Sequence, residues 1–193
     1  ECIPEAMAEG PWRWARGAIS PEAAVVQAAM VLWGAYVWWR VSGLVELLPA
    51  LVVTALLVTI SLVDFRVRRI PNVLVLALLA WGLVQVIWLG QPAPLPAVLG
   101  ALAGGGLLLL IALVGRGAMG AGDVKFAGVL GAVLGYPLIL HGLFYGILAG
   151  GAAALVLLVT RRVARKDYIA YGPYLALGAW IAWTQALGLW PWV

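Results

Sequence analysis

From residue 124 to residue 160 the sequence carries a single charged residue, Lys125. As one helix, rising about 1.5 Å per residue, that run would be about 55 Å long, far more than the roughly 30 Å of a bilayer's hydrocarbon core. The chain must therefore reverse inside it. Gly135-Tyr136-Pro137 marks the place, because proline cannot continue a preceding helix and glycine permits the turn. The run then divides into a short span and a longer one over 138–160. Further stretches of about 20 mostly apolar residues lie at 21–39, 44–63, 72–89, 95–114 and 171–189. The reading is an all-α, polytopic membrane helix bundle of about seven transmembrane helices. A composition of 65% hydrophobic and 10% charged residues leaves too little polar surface for a domain that faces water on all sides. Disulfide scaffolds are excluded by the single cysteine, Cys2, and nothing in the chain points to nucleic acid.

The placement of charge fixes an orientation. With the N-terminus inside, the inner segments hold Arg13, Arg16, Arg66, Arg68, Arg69, Arg116, Lys125, Arg161, Arg162, Arg165 and Lys166, and the outer ones hold only Arg40. Eleven against one is the asymmetry that cytoplasmic loops impose, and a missed or extra span would scramble it. The expected topology is N-terminus inside and C-terminus outside. Residues 1–20 form a cytoplasmic N-terminal segment. Because the chain starts at Glu1 rather than Met, this segment is expected to be the remnant of a longer N-terminal region, which could include another span.

Of the eight acids, Glu1, Glu5, Glu9 and Glu22 lie near the N-terminus, Glu46 at the outer end of the second span, and Asp64, Asp123 and Asp167 on the inner side. Asp64 ends the second span and Asp123 opens the fifth. Two full crossings separate them, so both lie at the same inner depth and can meet. A carboxylate at the end of an apolar helix is costly to desolvate, which makes it a functional candidate as well as a plain solvated helix end. Two close carboxylates sharing one proton supply both a base to activate water and an acid to polarise a carbonyl.

The neighbourhoods of these acids narrow the choice. Asp64-Phe65-Arg66-Val67-Arg68-Arg69-Ile70-Pro71-Asn72 resembles the D-x5-I-P-N segment of type IV prepilin and preflagellin peptidases, and Gly120-Ala121-Gly122-Asp123-Val124-Lys125 resembles their G-x-G-D-x-K segment. Tyr171-Gly172-Pro173-Tyr174-Leu175-Ala176-Leu177-Gly178 is similar to their F-G-P-x-L-A-x-G segment. The three occur in family order and cover the chain from about Leu44 onward. The resemblance implies a membrane aspartic endopeptidase, residues 21–193 forming its membrane-embedded domain. Such enzymes remove the leader of type IV prepilin-like precursors at the cytoplasmic face of the inner membrane, in pilus assembly or secretion. It makes Asp64 and Asp123 the catalytic pair. Gly120, Gly122, Lys125, Pro71, Asn72, Gly172 and Pro173 are then motif or substrate-positioning residues. The implied partners are a precursor with a basic leader and membrane lipids. The small-xxx-small patterns at Gly100-xxx-Gly104, Gly131-xxx-Gly135, Gly142-xxx-Gly146 and Gly146-xxx-Gly150 read first as packing within the chain, with a homo-oligomer as the alternative.

Physical readings stand beside that resemblance. Gly120 and Gly122 would allow backbone conformations and close approaches that bulkier residues forbid, letting an extended substrate reach Asp123. Pro71 reads as a helix start. Lys125, two residues past Asp123, points to another helix face and reads as an interfacial anchor. Arg66, Arg68 and Arg69 are explained by positive-inside anchoring. His141, the one histidine, falls at the outer end of the sixth span and reads as a structural hydrogen-bonding residue. Trp33, Trp38, Trp39, Trp88, Trp190 and Trp192 gather at outer ends as an aromatic belt.

Many bacterial members also methylate the new N-terminus and carry two Cys-x-x-Cys pairs in a cytoplasmic loop. Here Arg16-Gly17-Ala18-Ile19-Ser20-Pro21-Glu22 resembles the end of such a loop, yet Cys2 stands alone. No cofactor is expected of this stretch, zinc and S-adenosylmethionine belonging to a fuller-length form. Two other classes stay open. A presenilin-like intramembrane protease would share G-x-G-D but would have Tyr where Val63 stands and Pro-Ala-Leu where Tyr171-Gly172-Pro173 stands. A proton- or ion-coupled transporter would place its acids near the midplane and often show an internal repeat.

Overall fold

A computed structural model of the chain describes residues 44–67, 69–115, 119–159 and 171–188, together with Leu32, Ala35, Tyr36 and Trp39. Among the described residues there are six helices of more than one turn and no strand. They are α1 (Leu44–Val67), α2 (Asn72–Val84, ending in a π-helical turn over Gln85–Leu89), α3 (Pro94–Val114), α4 (Ala121–Leu134), α5 (Leu138–Val159) and α6 (Gly172–Ala186). Four segments are long and apolar enough to cross a membrane: Leu48–Val67, Asn72–Leu89, Pro94–Val114 and Leu138–Leu155. These match the expected second, third, fourth and sixth spans. The helices at the expected fifth and seventh, of 14 and 15 residues, are shorter than a full crossing. The first span lies almost wholly outside the described residues, as do 1–20, the basic run 161–167 and Trp33, Trp38, Trp190 and Trp192.

One boundary differs from expectation. Helix α1 does not stop at residue 63 but runs through Val67, so Asp64 lies inside its last turn rather than beyond it. Pro71 caps α2 as expected: its carbonyl accepts hydrogen bonds from the backbone N–H groups of Leu74 and Val75, and the helix begins at Asn72. The reversal at Gly135-Tyr136-Pro137 is also present. Gly135 has φ +77°, a conformation that favours glycine, and the N–H of Tyr136 donates to the carbonyl of Pro96 at 2.8 Å, tying the corner to the start of α3.

Helix α4 is the axis of the bundle. Phe126, Ala127, Leu130 and Val133 are essentially inaccessible, and α4 packs against α2, α3, α5 and α6. That explains why, beyond Lys125, this short helix carries only apolar residues. Its approach to α3 is backbone to backbone: a Cβ on Gly131 would run into the carbonyl of Gly100, and one on Gly104 into that of Ala127. Helices α5 and α6 meet in the same way, with Gly142 against Ala179, Gly146 against Leu175, and Gly178 against Gly142 and Gly146. These glycines serve packing within the chain, the closeness that drives helix association in lipid. Trp39 and Trp88 are well exposed at the ends where a belt is expected, and His141 is exposed on α5.

Candidate active site

Three helix ends converge at one end of the bundle: the last turn of α1, the first turn of α4 and the first turn of α6. The first two supply the carboxylates of Asp64 and Asp123, both buried at 3% and 7% exposure. The two interact electrostatically, which places them within reach of each other. Burial of like charges in one low-dielectric site makes it costly for both to ionise, so a pair of this kind tends to hold one proton between its members.

Each carboxylate is gripped by a backbone amide. Asp123 is the third residue of α4, and its turn closes on itself: the N–H of Gly120 donates to Oδ2 of Asp123 at 3.2 Å, while the N–H of Asp123 donates to the carbonyl of Gly120 at 3.0 Å. An acid in a helix's first turn also sits well in the helix dipole. Asp64 has no such local donor. Its Oδ2 accepts the N–H of Gly172, at 3.1 Å, from the start of α6. Pro173, next in that helix's first turn, is buried beside it.

The demand for glycine falls at a different place from the one expected. Gly120 has φ −72°, an ordinary conformation for any residue, and a Cβ on Gly122 would meet only Ile70, at 3.7 Å. At Gly122 there is room for a side chain, and the backbone angles of Gly120 do not demand glycine. Position 172 does demand it, because a Cβ there would lie 2.6 Å from Oδ2 of Asp64 and 3.2 Å from Cδ1 of Ile70. Asn72 and Lys125 are exposed, as are Arg66 and Arg69, while Arg68 lies outside the described residues. The structure thus gathers Asp64, Asp123, Gly120, Gly122, Gly172 and Pro173, and leaves Asn72 and Lys125 on the surface.

Two residues inside the motif stretches were not singled out from sequence. Ile70 is the side chain that a Cβ on Gly122 would meet, and one of those that a Cβ on Gly172 would meet. Tyr171 lies within electrostatic reach of Asp123, its ring against Gly150 and its hydroxyl donating to the carbonyl of Ile147 at 3.5 Å. Their membership of the motifs was the available signal; their contacts were not. Among the described residues no three of His, Cys, Asp and Glu come together as a metal site would require. A cavity of about 480 Å³, lined by Gln85, Val133, Trp183 and neighbours, lies at the other end of the bundle from the carboxylates.

Residues 51–155, more than half of the chain and including both aspartates, match the model of the type IV leader peptidase family. The chain belongs to that family. Similar curated proteins carry the name prepilin leader peptidase/N-methyltransferase. That of Aeromonas salmonicida is 32% identical over 93% of this chain and 66% of its own length. That of Bacillus subtilis is 29% identical over 72% and 56%, and that of Neisseria gonorrhoeae 34% identical over 74% and 50%. The chain therefore spans less than two thirds of these leader peptidase relatives. No solved structure matches it.

Proposed function

We propose that this membrane protein is an aspartic endopeptidase that removes the leader of type IV prepilin-like precursors, with Asp64 and Asp123 as its catalytic residues. One observation carries the reading: in a chain of the leader peptidase family, two buried carboxylates from different helices lie within electrostatic reach of each other, each held by the backbone amide of a motif glycine. The ionised member takes a proton from water as its oxygen attacks the scissile carbonyl carbon, and the protonated member donates to the carbonyl oxygen. The tetrahedral gem-diol then collapses: the member left ionised takes a proton from one hydroxyl of the diol, the other member gives its proton to the amide nitrogen, and the C–N bond breaks. The pair ends with one proton, as it began.

The site lies at the end of the bundle that the basic residues assign to the cytoplasm, so the cut falls on that face of the inner membrane. The substrate is a precursor whose basic leader stays at the anionic inner surface while its apolar helix enters the bilayer. The peptidase half of the relatives' name is assigned to these residues; methyl transfer is not. The test is to reconstitute the chain in liposomes with a prepilin-like precursor and map the products by mass spectrometry. A single cut between the basic leader and the apolar segment is expected. Cuts within the apolar segment would support a presenilin-like protease, and no cut by folded protein would sink the proposal.

A further inference from the structure

The connection between α1 and α2 is only four residues long, and Ile70 is its one apolar side chain besides the proline that follows. Pro71 restricts the residue before it to an extended backbone, and a β-branched side chain has few χ1 options, so Ile70 is rigidly presented. It is partly buried and packs against the core. On one side its Cδ1 lies 3.2 Å from where a Cβ on Gly172 would be, and Gly172 holds Asp64. On the other its Cβ lies 3.7 Å from the corresponding point on Gly122, the residue before Asp123. One side chain thus lies beside both of the glycine turns that border the carboxylates, close enough that a methyl group added at either would meet it.

We propose that Ile70 is a positioning residue, a rigid apolar wedge between the turns at Asp64 and Asp123 that sets their separation and keeps water from entering between them. The proposal rests on reading the pair as the peptidase site. Coulombic coupling between two carboxylates weakens as the medium between them becomes more polar, and a weakly coupled pair shares a proton over a narrower pH range. Among the described residues the other groups that bear on the pair are few. Tyr171 on α6 is within reach of Asp123, whereas Arg66 at the end of α1, Arg69 in the connection and Lys125 on α4 are exposed, and α2 holds no charged residue.

Valine and threonine have nearly the same shape, so Ile70→Val and Ile70→Thr separate polarity from packing. The full chain in liposomes would be assayed for precursor cleavage across pH, with thermal unfolding of each variant alongside. Ile70→Thr is expected to have a kcat about tenfold below that of Ile70→Val, and an alkaline limit of activity lower by about half a pH unit or more. Ile70→Ala, which admits water without adding a polar group, should move that limit the same way. Superimposable pH profiles for Val and Thr, or an unmoved profile for Ala, would overturn the wedge. Infrared titration of the carboxyl bands in the same variants reads the pair without substrate. If the wild type does not cleave, the peptidase reading fails, and this titration still decides whether Ile70 tunes the pair.

Discussion

Asp123 takes its hydrogen bond from Gly120, three residues earlier, whereas Asp64 takes one from Gly172, 108 residues further along. The first arrangement is local, closed within the four residues of one helix start. The second exists only once α6 has docked against α1. One carboxylate of the pair is set by local geometry and the other by tertiary packing, so the site is complete only when the last described helix is in place. That difference predicts which changes disable the site from a distance and which do not.

The sharpest break is Gly172→Ala. Its methyl would lie 2.6 Å from Oδ2 of Asp64, so either the carboxylate or the start of α6 must move, and the amide that holds Asp64 moves with it. Cleavage is expected to fall by about 100-fold or more while the helical content stays intact, since misplacing a reacting group by about 1 Å costs that much. Gly131→Ala strikes the packing instead, where its Cβ would collide with the backbone of Gly100. It should destabilise the bundle by about 2 kcal/mol or more in denaturant unfolding, with activity lost in proportion to folded protein.

Gly122→Ala probes the locally built turn and should be far milder. The added methyl meets Ile70 at an ordinary 3.7 Å, so unfolding should stay within about 0.5 kcal/mol of wild type. Any loss of cleavage should appear in KM, through room taken from the substrate; a fall in kcat would show that the two turns are equally intolerant. Lys125→Ala is the smallest step. Its side chain is exposed, and kcat should change by about twofold or less.

The same division explains what could be read from the sequence. The apolar lengths of α1, α2, α3 and α5 follow from the solvent, because every backbone group in lipid must be satisfied within a helix. The corner at Gly135-Tyr136-Pro137 was legible because a long uncharged run has to turn somewhere and few residues allow it. Asp64 and Asp123 stood out because buried charge is expensive and therefore rare. The contacts made by Gly172 and Ile70 were not legible, since each depends on how distant helices pack. Glycine is spelled the same way at 122 and 172, yet of the two only at 172 does a missing side chain decide the geometry. The shortness of α4 was half visible: the break fixed its end, but its position at the centre of the bundle needed the structure.

The most direct measurement is precursor cleavage by the wild type, Asp64→Asn and Asp123→Asn, purified and reconstituted side by side with their unfolding transitions compared. Asparagine keeps the size of each side chain and removes its ability to exchange a proton. Each substitution alone is expected to lower cleavage by about 10³-fold or more with folding retained. Cleavage that survives either substitution at near wild-type rate would contradict a shared role for the pair.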